Sequence, residues 1–295
     1  MALKQQLAFA GRYARNAVTH RSPAPPVLPA LHHPSPGTWA NDALTVSWLG
    51  HATVLINFLG DWLLTDPVLE QRIGIGRGFA KLGPRRLIQP ALRARELPRL
   101  NAVLLSHAHM DHTDLGTLAR LPRSTPVVVQ PGNRDLVRRF RSVHELAWGS
   151  SAEIGDLRLE SVEVRHWGAR MITDRHRGYG GYLVEKAGRR VVFAGDTAYT
   201  DAFARLREHG PVDLAILPIG AYDPWIYNHA SPEEAWRMAR MLGAEYVLPV
   251  HHSTFRLSRE PVDEPLERLL AAAGEERWRV VGREVGATWR MPREE

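Results

Sequence analysis

The sequence predicts an α/β sandwich, with β-sheets buried between helical layers. Three observations carry that expectation. Short apolar strands broken by turns recur in two successive series, the first starting at Leu44 and the second near Leu157. Segments of helical periodicity fall among those strands instead of after them. The chain has 295 residues, 44% of them hydrophobic, which suffices to bury a full core.

Residues 1–41 stand apart as an N-terminal arm, with no Asp or Glu, four basic residues and six prolines. Its first half, LKQQLAFAGRYARNAV, places Leu3, Leu7, Ala10, Ala14 and Val18 at helical spacing beside Lys4, Arg12 and Arg15. Two readings stay open: an arm packed weakly on its own domain, or a helix over residues 1–22 that touches a membrane surface or a partner. His32 and His33, in the proline-rich part, are expected to be exposed.

Residues 42–295 read as one domain. Its first strands are LTVSW, TVLINF, WLLT, AVLLS and PVVVQ, with helical segments in TDLGTLARL and NRDLVRRF. The second series comprises LRLESVEV, GYLVEK, RVVFAGD, DLAILP and EYVLPV, with helices near 200–208, 231–242 and 262–273. In SPEEAWRMARML, Ser231 caps, Pro232 suits the first turn and Glu234 completes a capping box. His229 therefore lies in the loop just before a helix. Between residues 71 and 99 there are eight Lys or Arg against one acid, with glycines at 74, 76, 78 and 83. Such a stretch reads either as a basic lid over an anionic group or as a solvated surface.

Composition narrows the chemistry. Without cysteine there are no disulfides, thiolate ligands or cysteine nucleophile, so His, Asp and Glu are left to bind any metal, and fourteen histidines supply it. No apolar run approaches the roughly 18 residues of a membrane span, and the N-terminus lacks the apolar core of a secretory signal. A cytoplasmic protein is expected, whether free or peripheral to the inner face of the membrane. The formal charge of +6 suits anionic partners in general. No nucleic-acid-binding motif accompanies it, so nucleic acid is not favoured.

The densest chemistry lies in AVLLSHAHMDHTD, Ala102 to Asp114. His107, His109, Asp111 and His112 follow directly on an apolar strand. Alternate residues of an extended segment point the same way, so His107 and His109 can share one centre while the turn after them aims Asp111 and His112 at another. Further donors of ligand type end later strands: His166 after LRLESVEVR, Asp196 after RVVFAG and His251 after EYVLPV.

With these residues the sequence resembles the metallo-β-lactamase superfamily from about Leu44 to Phe255. Within it the chain is most similar to hydrolases related to N-acyl-phosphatidylethanolamine-hydrolysing phospholipase D. WLGHATVLI, LLTDPV, GPRR, SHAHMDH, RHWGAR, FAGDTAY, LPIGAYDP, HASPEEA and VHHSTF carry the likeness, in that order. The resemblance implies a four-layer αββα sandwich and a binuclear centre. It implies that His107, His109 and His166 bind one metal and Asp111, His112 and His251 the other, with Asp196 bridging. Two Zn²⁺ suit this thiolate-free set, and Mn²⁺ or Fe²⁺ are also accepted by imidazole. Ions so placed hold a water between them and make hydroxide available as a nucleophile near neutral pH, so hydrolysis is the expected reaction.

The expected catalytic residues are Asp111 and Asp196 with His229 and Tyr222, the last two as pocket groups near the substrate. Asp66 is expected to orient a ligand histidine from behind. His51, in GHAT, either borders the active site or is structural, and His252 is expected to point away. Trp48, Trp167 and Trp225 stand beside motifs as candidate apolar walls. The leading functional expectation is a phosphodiesterase for a phospholipid or a small anionic diester. Alternatives are a lactone or ester hydrolase of the L-ascorbate-6-phosphate lactonase type, a β-lactamase-like enzyme, and a binding protein that has lost catalysis. By analogy with related lipid hydrolases, a homodimer is expected.

Overall fold

The computed structural model describes residues 26–76, 81–171 and 173–293. β1 (Leu44–Gly50), β2 (Thr53–Phe58) and β3 (Asp61–Thr65) form an antiparallel meander, which β4 (Ala102–Leu104), β5 (Val127–Val129) and β6 (Val143–Glu145) extend in parallel. The second series supplies β7 (Ser151–Ile154), β8 (Leu157–Val162), β9 (Gly181–Lys186), β10 (Arg189–Phe193), β11 (Val212–Pro218) and β12 (Ala244–Val250). These six form a second sheet in the order β12-β11-β10-β9-β8-β7, antiparallel from β7 to β10 and parallel from β10 to β12. A last strand, β13 (Thr288–Arg290), returns to the first sheet and sets Trp289 opposite Val46, giving the order β13-β1-β2-β3-β4-β5-β6.

Alternation along each strand of the second sheet divides its side chains between two cores. Val191 and Phe193 of β10, Leu214 and Ile216 of β11 and Leu248 of β12 pack with Val46, Leu64 and Val103 of the first sheet. Their neighbours Val192, Ala215, Leu217 and Val247 pack instead with Trp236, Met238, Ala239 and Leu242 of the helix Pro232–Leu242 and with Phe203 and Leu269. Both faces are buried, and for that reason these strands read as continuous apolar runs. Each fully buried Val, Leu, Ile, Phe or Met among them contributes about 1.5–3 kcal/mol.

Among the described residues the α-helices are α1 (Leu115–Leu118), α2 (Pro232–Leu242) and α3 (Glu264–Ala273). Helix α2 begins with the expected Ser231–Glu234 capping box and ends at Gly243, φ 65. The segment near 200–208 is a 3-10 run, Ala202–His209, and NRDLVRRF yields only a 3-10 turn, Arg134–Val137. TDLGTLARL yields only four α-helical residues: Pro122 has no N–H to give the Leu118 carbonyl, and the Arg139 guanidinium donates instead to the Leu118 and Leu121 carbonyls that the helix end leaves without such partners.

Part of the arm lies on the domain. Leu28 N donates to Leu87 O and Gln89 N to Leu28 O, both at 2.8 Å, and Trp39 stacks on Trp62 with centroids 5.3 Å apart. His32 and His33 are exposed. The helix expected within residues 1–22 lies outside the described residues. Among the described residues no helix is long and apolar enough to cross a membrane.

Candidate metal centre

The donors gather where strands of the two sheets end, and the backbone there is forced. His51 follows β1, Asp66 follows β3 and His251 follows β12; their φ values are 55, 31 and 64. Left-handed conformations of this kind cost about 1–3 kcal/mol each and persist only where surrounding bonds hold them. Here Asp66 N donates to Leu104 O at 2.9 Å and His51 N to Thr254 Oγ1 at 2.7 Å. His251 N donates to His51 O at 3.1 Å, which ties the ends of the two sheets together. Close approach needs glycine at two points. A Cβ on Gly195 would lie 2.4 Å from Ser106 Cβ, and one on Gly220 would lie 2.2 Å from His251 O.

The turn after β4 is folded by its own threonine. Thr113 Oγ1 donates to His107 O at 2.7 Å and Thr113 N to His109 O at 2.8 Å. Arg170 Nη1 clamps the same turn through Ala108 O at 2.9 Å and Thr113 O at 2.7 Å.

Two of the resulting donor groups, each with ligand atoms within 4.8 Å of one another, are His107, His109 and His166, and His51, Asp111, His112 and His251. In the first, His109 Nδ1 is 2.7 Å from His107 Nε2 and 3.3 Å from His166 Nε2. Asp196 stands between the groups. Its Oδ2 is 3.1 Å from His112 Nε2, 3.1 Å from His251 Nε2 and 3.9 Å from His166 Nε2. His229 joins them, its Nε2 3.3 Å from the same oxygen. Behind the rings, Asp66 accepts from Ser106 N at 2.8 Å and Ser106 Oγ at 2.5 Å, and its Oδ2 is 2.6 Å from His112 Nδ1. His166 Nδ1 is held by Asn228 O at 2.9 Å.

Several buried side-chain nitrogens and oxygens have no hydrogen-bond partner: His109 Nε2, His112 Nε2, both nitrogens of His251, and Asp196 Oδ1. Leaving so many polar atoms unpaired in one place is costly. Imidazole and carboxylate donors facing one space, with the outer nitrogens of His107, His112 and His166 already bonded to Ser106, Asp66 and Asn228, are what a divalent metal site requires, so the residues fit such ions.

Charge in the metal-free cluster is divided unevenly. Burial holds the His107 and His166 rings well below the usual histidine range, and it lowers His109 to about 4. For His251 burial also opposes the charged ring, but Asp196 and Asp111 outweigh it and raise the ring to about 9. His112 is raised by the same two carboxylates, again against burial. Burial would raise Asp111 and Asp196 in turn; His112 and its neighbours hold both well below the carboxylate range.

All seven residues expected as metal ligands are thus brought together, and His229 with them. Tyr222 is not: its hydroxyl donates to Glu264 Oε1 at 2.7 Å and Arg268 lies 4.8 Å over its ring, so the loop after β11 spends this side chain on helix α3. His252 stacks on Trp48 at 4.5 Å, and Trp48 Nε1 donates to His51 O at 2.6 Å, so Trp48 is core and not a pocket wall. Trp167 lies 4.4 Å from the His109 ring, and the Trp225 carbonyl receives Asn228 N and His229 N. In the basic 71–99 stretch, Lys81 forms a buried ion pair with Asp114 at 2.5 Å and Arg86 is enclosed by the Val68, Glu70 and Ile88 carbonyls. Ser106 and Asn228 were not anticipated. Ser106 had a signal in its place directly before His107, whereas Asn228 acts through its backbone and leaves no trace in residue type.

Comparison with known proteins agrees with this geometry. Residues 61–252 match the beta-lactamase superfamily domain. An uncharacterized protein of Mycobacterium tuberculosis is 37% identical over 252 residues, covering 81% of this chain and 67% of the relative. The N-acyl-phosphatidylethanolamine-hydrolyzing phospholipase D 1 of Caenorhabditis elegans is 32% identical over 251 residues, covering 78% of this chain and 70% of the relative. The fold is shared with a metallo hydrolase from the archaeon Ignicoccus hospitalis, at a TM-score of 0.61 and 20% identity, over 85% of this chain and 100% of that one. With its His and Asp donors assembled at the strand ends of a two-sheet sandwich, the chain belongs to the metallo-β-lactamase superfamily, as one of its metal-dependent hydrolases.

Proposed function

We propose that the protein is a binuclear metal-dependent phosphodiesterase acting on phospholipid-like diesters. The observation that carries this reading is Asp196, whose carboxylate stands between the two donor groups at 3.1 Å from His112 and His251. His107, His109 and His166 would hold one ion, Asp111, His112 and His251 the other, and Asp196 would serve both; zinc suits the set best. Such ions, when bound, polarise phosphoryl oxygens and lower the pKa of a water to about 7.

The chain's own residues supply the rest. His229, 3.3 Å from Asp196 through Nε2 and with Nδ1 unpartnered, is placed to hold a proton for the leaving oxygen. Asp66 and the Asn228 carbonyl fix the tautomers of His112 and His166, so the rings present their Nε2 atoms inward. Exposed Met171, Ile226 and Tyr227 stand within five residues of His166 or His229 in sequence, a placement suited to an acyl chain. The Caenorhabditis elegans relative supports the choice of a diester.

The test is turnover by metal-quantified protein of bis(p-nitrophenyl) phosphate, N-acyl-phosphatidylethanolamine, a lactone and nitrocefin. Diester cleavage that is lost to a chelator and restored by Zn²⁺ is expected. Lactone or nitrocefin turnover without diester turnover would overturn the reading.

A further inference from the structure

We propose that His51 is a positioning residue for Asp111: its ring donates a hydrogen bond that fixes the carboxylate, and it does not act as an eighth ligand. The proposal rests on the metal-centre reading above.

His51 is 1% exposed and its backbone is pinned on three sides. Its N–H donates to Thr254 Oγ1 at 2.7 Å, and its carbonyl accepts from Trp48 Nε1 at 2.6 Å and His251 N at 3.1 Å. Those bonds hold the left-handed φ of 55 and aim the ring into the cluster, 4.3 Å from the His251 ring and edge-on to Phe255 at 5.2 Å. Its Nε2 lies 3.1 Å from Asp111 Oδ2.

By distance alone His51 belongs with Asp111, His112 and His251 as a ligand. Hydrogen-bond chemistry separates it from them. An ionised carboxylate only accepts, so in this contact His51 Nε2 is the donor and has no lone pair for an ion, whereas the Nε2 atoms of His112 and His251 make no hydrogen bond and are left to face one. Asp111 is also the carboxylate that most needs a fixed partner. It rides on the turn after β4 with its side chain 18% exposed, whereas Asp66 and Asp196 are 0% and 2% exposed. Outer partners of this kind orient the ligand and tune its basicity.

Two amides of unequal reach separate the possibilities in the purified full chain. His51→Gln places an N–H near the Nε2 position, whereas the amide of His51→Asn is too short to reach Asp111, and asparagine tolerates a left-handed φ well. Zn²⁺ binding is followed by chelator competition, Co²⁺ absorption reports the coordination, and melting temperature reports folding. Wild type is expected to bind two equivalents. His51→Asn should keep one at wild-type strength and bind the second about 10- to 100-fold more weakly, while His51→Gln stays within about threefold of wild type.

Undiminished binding by His51→Asn would overturn the proposal. So would a second zinc lost equally in both variants with a changed Co²⁺ spectrum, which would make His51 a ligand. Should His51→Asn fail to fold, His51→Gln alone decides, since a ligand role predicts loss of the second zinc there. A wild-type chain that binds no zinc would instead overturn the metal-centre reading.

Discussion

Asp196 Oδ2 lies 3.1 Å from His112 Nε2, and so one carboxylate oxygen from the end of β10 meets a ring delivered by the turn after β4 in the opposite sheet. The same oxygen is 3.1 Å from His251 Nε2 at the end of β12. Asp196 thereby joins three strand ends in two sheets. Asp196→Ala is expected to release bound metal and reduce turnover by more than the about 10- to 100-fold that loss of an outer partner costs. Wild-type metal content with wild-type rate in that variant would exclude a shared role.

Metal uptake should be linked to protons. In the metal-free protein Asp196 and Asp111 overcome burial and keep the His251 ring charged up to about pH 9. A ligand ring must be neutral, so below that pH each zinc that engages His251 displaces a proton. His112 is raised as well and must also lose its proton, so apparent zinc affinity should weaken by at least about tenfold per pH unit as pH falls below about 9. The sign for stability is opposite. A folded-state value above the unfolded one stabilises fully below the ordinary value of 6.5, and that contribution disappears as pH rises to about 9. Zinc titrations and metal-free melting curves at pH 6 to 9 test both, and pH-independent affinity would contradict the linkage.

The legible parts of the molecule were those in which burial acts on both faces or chemistry clusters in sequence. β1, β2, β11 and β12 are largely apolar runs because both faces are covered, and all appear where the pattern placed them. Three strands were not anticipated, β6, β7 and β13. Each lies at a sheet edge, and their burial is only partial, so VHE, SAEI and TWR lack an apolar signature. In the centre, His107, His109, Asp111 and His112 were visible as a group, whereas His51 stands 56 positions before His107 and meets Asp111 and His112 only through the convergence of strand ends. Tyr222 shows the converse: it stands beside a motif residue, but its direction is set by Glu264 on a helix some forty residues later.

Tyr222→Phe tests that redirection. The hydroxyl donates to Glu264 Oε1 at 2.7 Å, and burial together with Glu264 pushes it above the usual tyrosine range, so it stays protonated at neutral pH. Removing it should cost about 0.5–1.5 kcal/mol of stability and leave diester turnover nearly unchanged. A hundredfold loss of kcat with unchanged stability would return Tyr222 to the reacting groups.

Gly195 permits the contact that brings Asp196 to the cluster, and its replacement separates packing from backbone strain. A Cβ there would lie 2.4 Å from Ser106 Cβ, and Ser106 in turn holds Asp66 and His107. Gly149 shares a positive φ, 77 against 61, but nothing lies within 4 Å of its would-be Cβ. Gly149→Ala should therefore show the conformational cost alone, about 1 kcal/mol. Gly195→Ala should add overpacking of about 1–3 kcal/mol and weaken zinc binding, because Ser106 can yield only by shifting Asp66 and His107. Urea unfolding of the two metal-free variants, with zinc titration of each, makes the comparison. Equal destabilisation, with zinc affinity unchanged in both, would mean that the ends of β4 and β10 separate freely and that the close approach does not position Asp196.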